Sequence, residues 1–223
     1  MDLYKSKILH YLSSLKAFGY EFHDPIAKSP SSNCATMPVD INILKKQIHD
    51  CSLCDLSKSR KNVCFGYGNL NSKIIFVSDS PGIIEDETGN PFEGKSGELL
   101  EKIINTVLGV DKSEFFYTNL SKCKTPNNRL PTNEEIASCK PYLLQQIASI
   151  KPKLIVVLGE IPAKYLCGYE NSSSILGKII QFSDEIHMIC TYHPSYLLRN
   201  PSAKKDSFED FKTISKFISS NIS

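Results

Sequence analysis

Residues 73–100 read KIIFVSDSPGIIEDETGNPFEGKSGELL, and the fold expectation rests on this stretch. Ile74, Ile75, Phe76 and Val77 form a short apolar run rich in β-branched residues, which suits a strand buried on both faces of a parallel sheet. At Ser78-Asp79-Ser80-Pro81-Gly82 proline and glycine turn the backbone. A polar loop is expected next, carrying Glu85, Asp86 and Glu87 and then Thr88-Gly89-Asn90-Pro91-Phe92. From Lys95 the spacing of Leu99, Leu100, Ile103, Ile104 and Val107 predicts a helix. In α/β folds the loop after a strand's carboxyl end is where ligands bind.

Working outward, residues 115–120 and 154–158 read as further strands, and 179–182 and 186–191 as the last ones. Thr132 with Glu135 three residues on is a capping-box signature for a helix to about residue 150. A second helix is expected over 159–166, and Phe208, Phe211, Ile214, Phe217 and Ile218 recur at helical spacing near the end. The alternation predicts a three-layer α/β/α domain around a central, mainly parallel sheet of about four strands.

Upstream, residues 1–20 have the pattern of an amphipathic accessory helix, able to dock a protein partner or to pack on the core. Residues 21–40, with three prolines and a serine cluster, read as a linker. Asp40 is placed to cap a helix leading into Cys51-Ser52-Leu53-Cys54. The main domain is thus expected over 41–223.

At 223 residues the chain is long enough for one such domain, and a formal charge of +2 neither requires nor excludes a nucleic-acid partner. No apolar run approaches the roughly 20 residues that span a bilayer, and the N-terminus lacks the pattern of a secretory signal. The expectation is a cytoplasmic monomer with no membrane contact.

Eight cysteines in such a chain point to metal ligation rather than disulfides. The strongest signal is Cys51-x2-Cys54 followed by Cys123 and Cys139. Four thiolates suit a structural zinc or a [4Fe–4S] cluster, and spacing alone does not choose between them. Cys167 and Cys190 read as buried small hydrophobes, while Cys34 falls in the linker and Cys64 in a turn.

Taken together, these residues resemble the iron–sulfur (family 4) uracil-DNA glycosylases. The likeness runs through Cys51-x2-Cys54 and Cys123-x15-Cys139, Pro81-Gly82, Glu85-Asp86, Thr88-Gly89, Pro91-Phe92, Gly94-Lys95-x-Gly97, Thr118-Asn119 and His193-Pro194-Ser195. It covers about residue 41 onward. It implies a [4Fe–4S] cluster on Cys51, Cys54, Cys123 and Cys139, DNA containing uracil as substrate, and hydrolysis of the N-glycosidic bond.

The resemblance further implies a stacking role for Phe92, reading of the uracil edge by Asn119, and a pocket bordered by Ser80 and Gly82. His193 would donate to uracil O2, and Asp79 or Glu85 would handle the attacking water. Leu198 would wedge into the base stack, while Arg199, Lys122 and Arg129 would meet phosphates. One departure is visible: Ser78-Asp79-Ser80 stands where the family usually has Gly-Glu-Ala, so the carboxylate is one methylene shorter. Two other readings go with these residues: a non-catalytic DNA-binding or polymerase-associated module, and a zinc-stabilised α/β binding domain.

Overall fold

The computed structural model describes residues 40–168 and 174–222. The expected accessory helix, the linker through residue 39 and Cys34 lie outside the described residues.

Asp40 caps helix α1 (Ile41–His49) as its position suggests, its carboxylate accepting from Asn42 N at 2.7 Å. The short α2 (Leu56–Ser59) follows, then the two-residue strand β1 (Tyr67–Gly68) and the wholly buried strand β2 (Ile74–Ser78). The segment expected to be a loop is partly helical, as α3 (Ile83–Thr88). Helix α4 (Lys95–Ile103) runs on into a π-helical turn, Ile104–Leu108.

Strand β3 (Phe116–Asn119) and helix α5 (Asn133–Ile150) come next, the helix opening with the expected Thr132/Glu135 capping box. Then follow β4 (Leu154–Leu158), α6 (Glu160–Cys167), β5 (Ile179–Ser183), β6 (Ile186–Thr191), α7 (Pro194–Arg199) and α8 (Lys204–Asn221). Among the described residues no helix is long and apolar enough to cross a membrane.

The strands form one sheet in the order β1-β3-β2-β4-β6-β5. The middle four are parallel, and an antiparallel strand closes each edge, giving six strands rather than about four. Alternate residues of the parallel strands serve two cores. Ile75, Val77, Phe116, Ile155 and Val157 pack towards α1 and α5, whereas Phe76, Tyr117, Val156, Phe211 and Ile214 pack on the α4 and α8 side. Burying each such side chain is worth about 1.5–3 kcal/mol, so both layers hold the sheet.

This topology gathers the carboxyl ends of β2, β3, β4 and β6 at one edge. Leu120 N donates to Ser78 O and Ser121 N to Asp79 O, both at 2.8 Å, so the pairing of β2 and β3 continues past the strand ends. The segments that leave those ends are held in register.

Candidate active site

Ser78 is the register partner of Asn119, and the two side chains leave the same face of the sheet as Phe76 and Tyr117. Asn119 is only 1% exposed, yet its Nδ2 has no hydrogen-bond partner among the described residues. A buried amide left unpaired costs about 1–3 kcal/mol. Such a cost points to a ligand that supplies the missing acceptor.

On the other side of Ser78 stands His193, directly after β6 and at the N-cap of α7. Its Nδ1 accepts from Ser195 N at 3.1 Å and lies 2.6 Å from Ser195 Oγ, which leaves Nε2 as the protonated nitrogen of the neutral ring. Nε2 lies 2.8 Å from Ser78 Oγ. The Ser78 hydroxyl in turn donates to Asp79 Oδ1 at 3.1 Å, which also accepts from Ser80 N at 2.8 Å. Burial pushes the His193 pKa below its ordinary value, with Asp79 acting in the opposite sense and Arg199 adding to the depression. The ring is therefore a neutral donor at neutral pH.

Phe92 reaches this edge from the segment between α3 and α4. Its φ of 59° is a left-handed conformation that a phenylalanine adopts at some cost. Two features impose it. Glu85 accepts from Phe92 N and from Gly82 N, tying both ends of the segment to one carboxylate. Gly97 lets α4 approach so closely that a Cβ there would lie 1.6 Å from the Phe92 carbonyl oxygen. The phenyl ring meets Tyr117 edge-on at a centroid distance of 5.6 Å.

Next to this edge is the thiol group. Cys51, Cys54, Cys123 and Cys139 line one small hollow, together with Arg60, Lys122, Ser138 and Tyr142. Arg60 Nη1 donates to Cys123 Sγ at 3.2 Å, and Lys122 N to Cys139 Sγ at the same distance. Burial raises the thiol pKa of Cys54, Cys123 and Cys139, the last to about 12. The neighbouring thiols add to the rise, so the set carries negative charge at a cost unless a cation shares it.

With this geometry in hand, the likenesses to known proteins become informative. The sequence profile of the Uracil DNA glycosylase superfamily matches residues 65–214. The chain belongs to that superfamily. The "Type-4 uracil-DNA glycosylase" of Saccharolobus solfataricus is 38% identical over 189 residues, covering 81% of this chain and 88% of that protein. Its counterpart in Sulfurisphaera tokodaii is 41% identical over 179 residues, 77% of this chain and 81% of the relative. That of Thermotoga maritima is 37% identical over 182 residues, 80% and 94% respectively.

Of the residues expected at the site, Asp79, Ser80 and Gly82 follow β2, Asn119 ends β3, His193 follows β6, and Phe92 meets Tyr117 of β3. Leu198 is exposed on α7 next to Arg199, six residues beyond His193 at most. Lys122 and Glu85 depart from expectation. Lys122, expected at the DNA backbone, is 1% exposed; its ammonium donates to Thr118 Oγ1, Asn119 O and Gln146 Oε1, each at 2.6 Å. It cannot reach a phosphate from there, and burial lowers its pKa to about 8.

Arg129 is exposed and makes a two-pronged ion pair with Glu135, at 2.8 and 2.5 Å. Glu85 has both oxygens engaged by backbone amides, and burial raises its pKa against the lowering effect of those bonds. It serves as the latch of the Phe92 segment.

Arg60 and Ser78 are the residues that sequence reasoning missed. A lone arginine after Ser57-Lys58-Ser59 carries no pattern, and Ser78 looked like a mere departure from the family motif. Cys64, left without a role, is fully buried and donates from its thiol to Glu85 O at 3.1 Å.

Proposed function

We propose that this protein hydrolyses the N-glycosidic bond between uracil and deoxyribose in DNA, releasing uracil and leaving an abasic site. The observation that carries the reading is the buried Asn119 Nδ2, without a hydrogen-bond partner among the described residues, at the strand edge that also holds His193. Uracil O4 would take the Nδ2–H and its N3–H would donate to Oδ1. Cytosine offers a donor and a bare nitrogen at those places, so the same amide disfavours it.

Each residue then has a task. The target base is turned out of the stack and rests on the Phe92 ring. His193 Nε2–H donates to O2 and stabilises the uracil anion as the C1′–N1 bond lengthens. Asp79 Oδ2, without a hydrogen bond among the described residues, faces the developing positive charge on the sugar. It accepts the proton of the attacking water as the water oxygen bonds to C1′. Glu85, committed to two amides, positions Phe92 rather than the water. Leu198 fills the vacated stack and Arg199 meets a phosphate.

The four cysteines fit a [4Fe–4S] cluster as the resident cofactor. Zinc requires all its sulfurs about 2.3 Å from one centre. Among the described residues, no group of three Cys, His, Asp or Glu side chains is placed to hold a single ion. The four thiols line one hollow, and two N–H donors on sulfur suit the negative charge of such a cluster. The cluster would clip the segment before β1 to the loop after β3. The Ser78-Asp79-Ser80 departure supports the catalytic over the non-catalytic reading, because it leaves the two reacting groups connected.

A single-turnover assay on a uracil-containing oligonucleotide, followed by alkali, tests the proposal. Strand breakage at the uracil position, absent from the matched thymine control, is the expected result. Intact uracil strands with stoichiometric enzyme that still binds the DNA would leave the non-catalytic module as the reading.

A further inference from the structure

His193 and Asp79 are placed at the end of β6 and just past β2, strands that are not neighbours in the sheet. One hydroxyl spans the gap between them. Ser78 Oγ lies 2.8 Å from His193 Nε2 and 3.1 Å from Asp79 Oδ1. The directions of these bonds are determined by the groups around them. Ser195 N donates to Nδ1, so Nε2 carries the ring proton and donates to Ser78. Asp79 Oδ1 only accepts, so the serine proton goes there. Ser78 is 3% exposed, so water does not compete strongly for either bond.

We propose that Ser78 is a positioning residue that bridges the uracil-anion stabiliser and the water-handling carboxylate, fixing each by means of the other. The inference rests on the roles given above to His193 and Asp79. Asp79 carries its carboxylate on a single methylene, and a short side chain that departs from its rotamer loses the reaction geometry quickly. Two donors on Oδ1, the Ser78 hydroxyl and Ser80 N, hold that oxygen and turn Oδ2 outward to the sugar. On the other side the serine oxygen holds the imidazole plane at the pocket edge until uracil O2 arrives to share the Nε2–H. The residue that breaks the family motif thereby supplies a link that a glycine there could not make.

The test uses the full-length, cluster-loaded protein. Ser78→Ala removes one hydroxyl from a closed site, and a thermal melt confirms that it folds. Single-turnover uracil excision should fall about tenfold to a hundredfold, the range for losing a hydrogen bond to a charged group. Affinity for uracil-containing duplex at fixed salt should stay within about twofold, because phosphates dominate it. In nitrogen-15 spectra the His193 Nε2–H proton, slow to exchange in the parent, should move upfield or broaden in the variant.

Coupling separates a bridge from simple packing. If Ser78 acts through the carboxylate, Ser78→Ala made in an Asp79→Asn background should cost much less than it costs alone. Equal costs in both backgrounds, or an excision rate in Ser78→Ala within twofold of the parent, would overturn the bridge. An inactive parent would instead overturn the glycosylase reading itself, and the Nε2–H resonance would still report whether the Ser78 bond exists.

Discussion

The Lys122 ammonium donates to the backbone carbonyl of Asn119 at 2.6 Å, while the backbone N–H of the same lysine donates to Cys139 Sγ. Asn119 and Cys139 are therefore joined through one buried residue. Thr118 Oγ1 and Gln146 Oε1 accept the ammonium's other two hydrogen bonds, and both side chains also donate to Phe65 O. The network fastens β3, α5 and the segment before β1 at the root of the site.

Lys122→Met keeps the aliphatic stem and removes the charge. It leaves the Asn119 carbonyl and two side-chain oxygens without their donor in a closed site, so unfolding free energy should fall by about 2–4 kcal/mol. Urea denaturation with an unchanged slope checks this. A surface lysine serving phosphates would cost almost nothing in stability and would instead change the salt dependence of DNA binding.

How far the sequence carried depends on where each signal lies. The four parallel strands were legible because Ile74–Val77 and Leu154–Leu158 are continuous apolar runs, buried on both faces. Strand β1 was not, since Tyr67 and Gly68 are exposed and pair only with β3. Helix α3 was hidden for a related reason. Ile83 and Ile84 face solvent, and the cap at Gly82 comes from a Glu85 carboxylate whose other oxygen binds seven residues along. Lys122 was misplaced because a lysine is ordinarily a surface residue, and its partners Thr118 and Gln146 come together only in the folded protein.

The cysteine set predicts a coloured protein. Cys51→Ala should lose the broad visible absorption, iron and sulfide, and should lower the melting temperature, since the clip between the pre-β1 segment and the β3 loop is cut. Cys34→Ala, outside the four-ligand pattern, should change none of these. Iron and acid-labile sulfide analysis of anaerobically prepared protein makes the measurement, and stoichiometric zinc without sulfide would restore the zinc reading.

Asp210 on α8 offers a pH signature. Its Oδ2 accepts from Thr191 Oγ1 at 2.6 Å, and burial raises its pKa to about 6 from the usual 3.8. The folded state then binds more protons than the unfolded state between those two values, so this group's contribution to stability declines as pH rises through the window. Relative to Asp210→Asn, the parent should lose on the order of 1–2 kcal/mol between pH 4 and pH 7. Paired denaturation curves at the two pH values give the difference. A gap that stays constant would show that the carboxyl ionises alike in both states.

Base selectivity is the sharpest consequence of the Asn119 geometry. The amide Nδ2 is buried without an acceptor among the described residues, so it is poised for an oxygen of the incoming base. Asn119→Asp replaces that donor with a second acceptor of the same size. Uracil O4 then meets an anion, while the exocyclic amine of cytosine meets an acceptor. A good bidentate contact to a base is worth about 1–3 kcal/mol of discrimination, so uracil excision should fall by about tenfold to a few hundredfold, and cytosine excision should rise from none towards detection. Duplex affinity should hardly move, because the substitution lies beneath the DNA and phosphates dominate binding. Single-turnover cleavage of matched oligonucleotides carrying uracil or cytosine, with a binding titration at fixed salt, reads all three quantities. Unchanged uracil excision would mean that Nδ2 serves some other group, and the proposed uracil site would need a different reader.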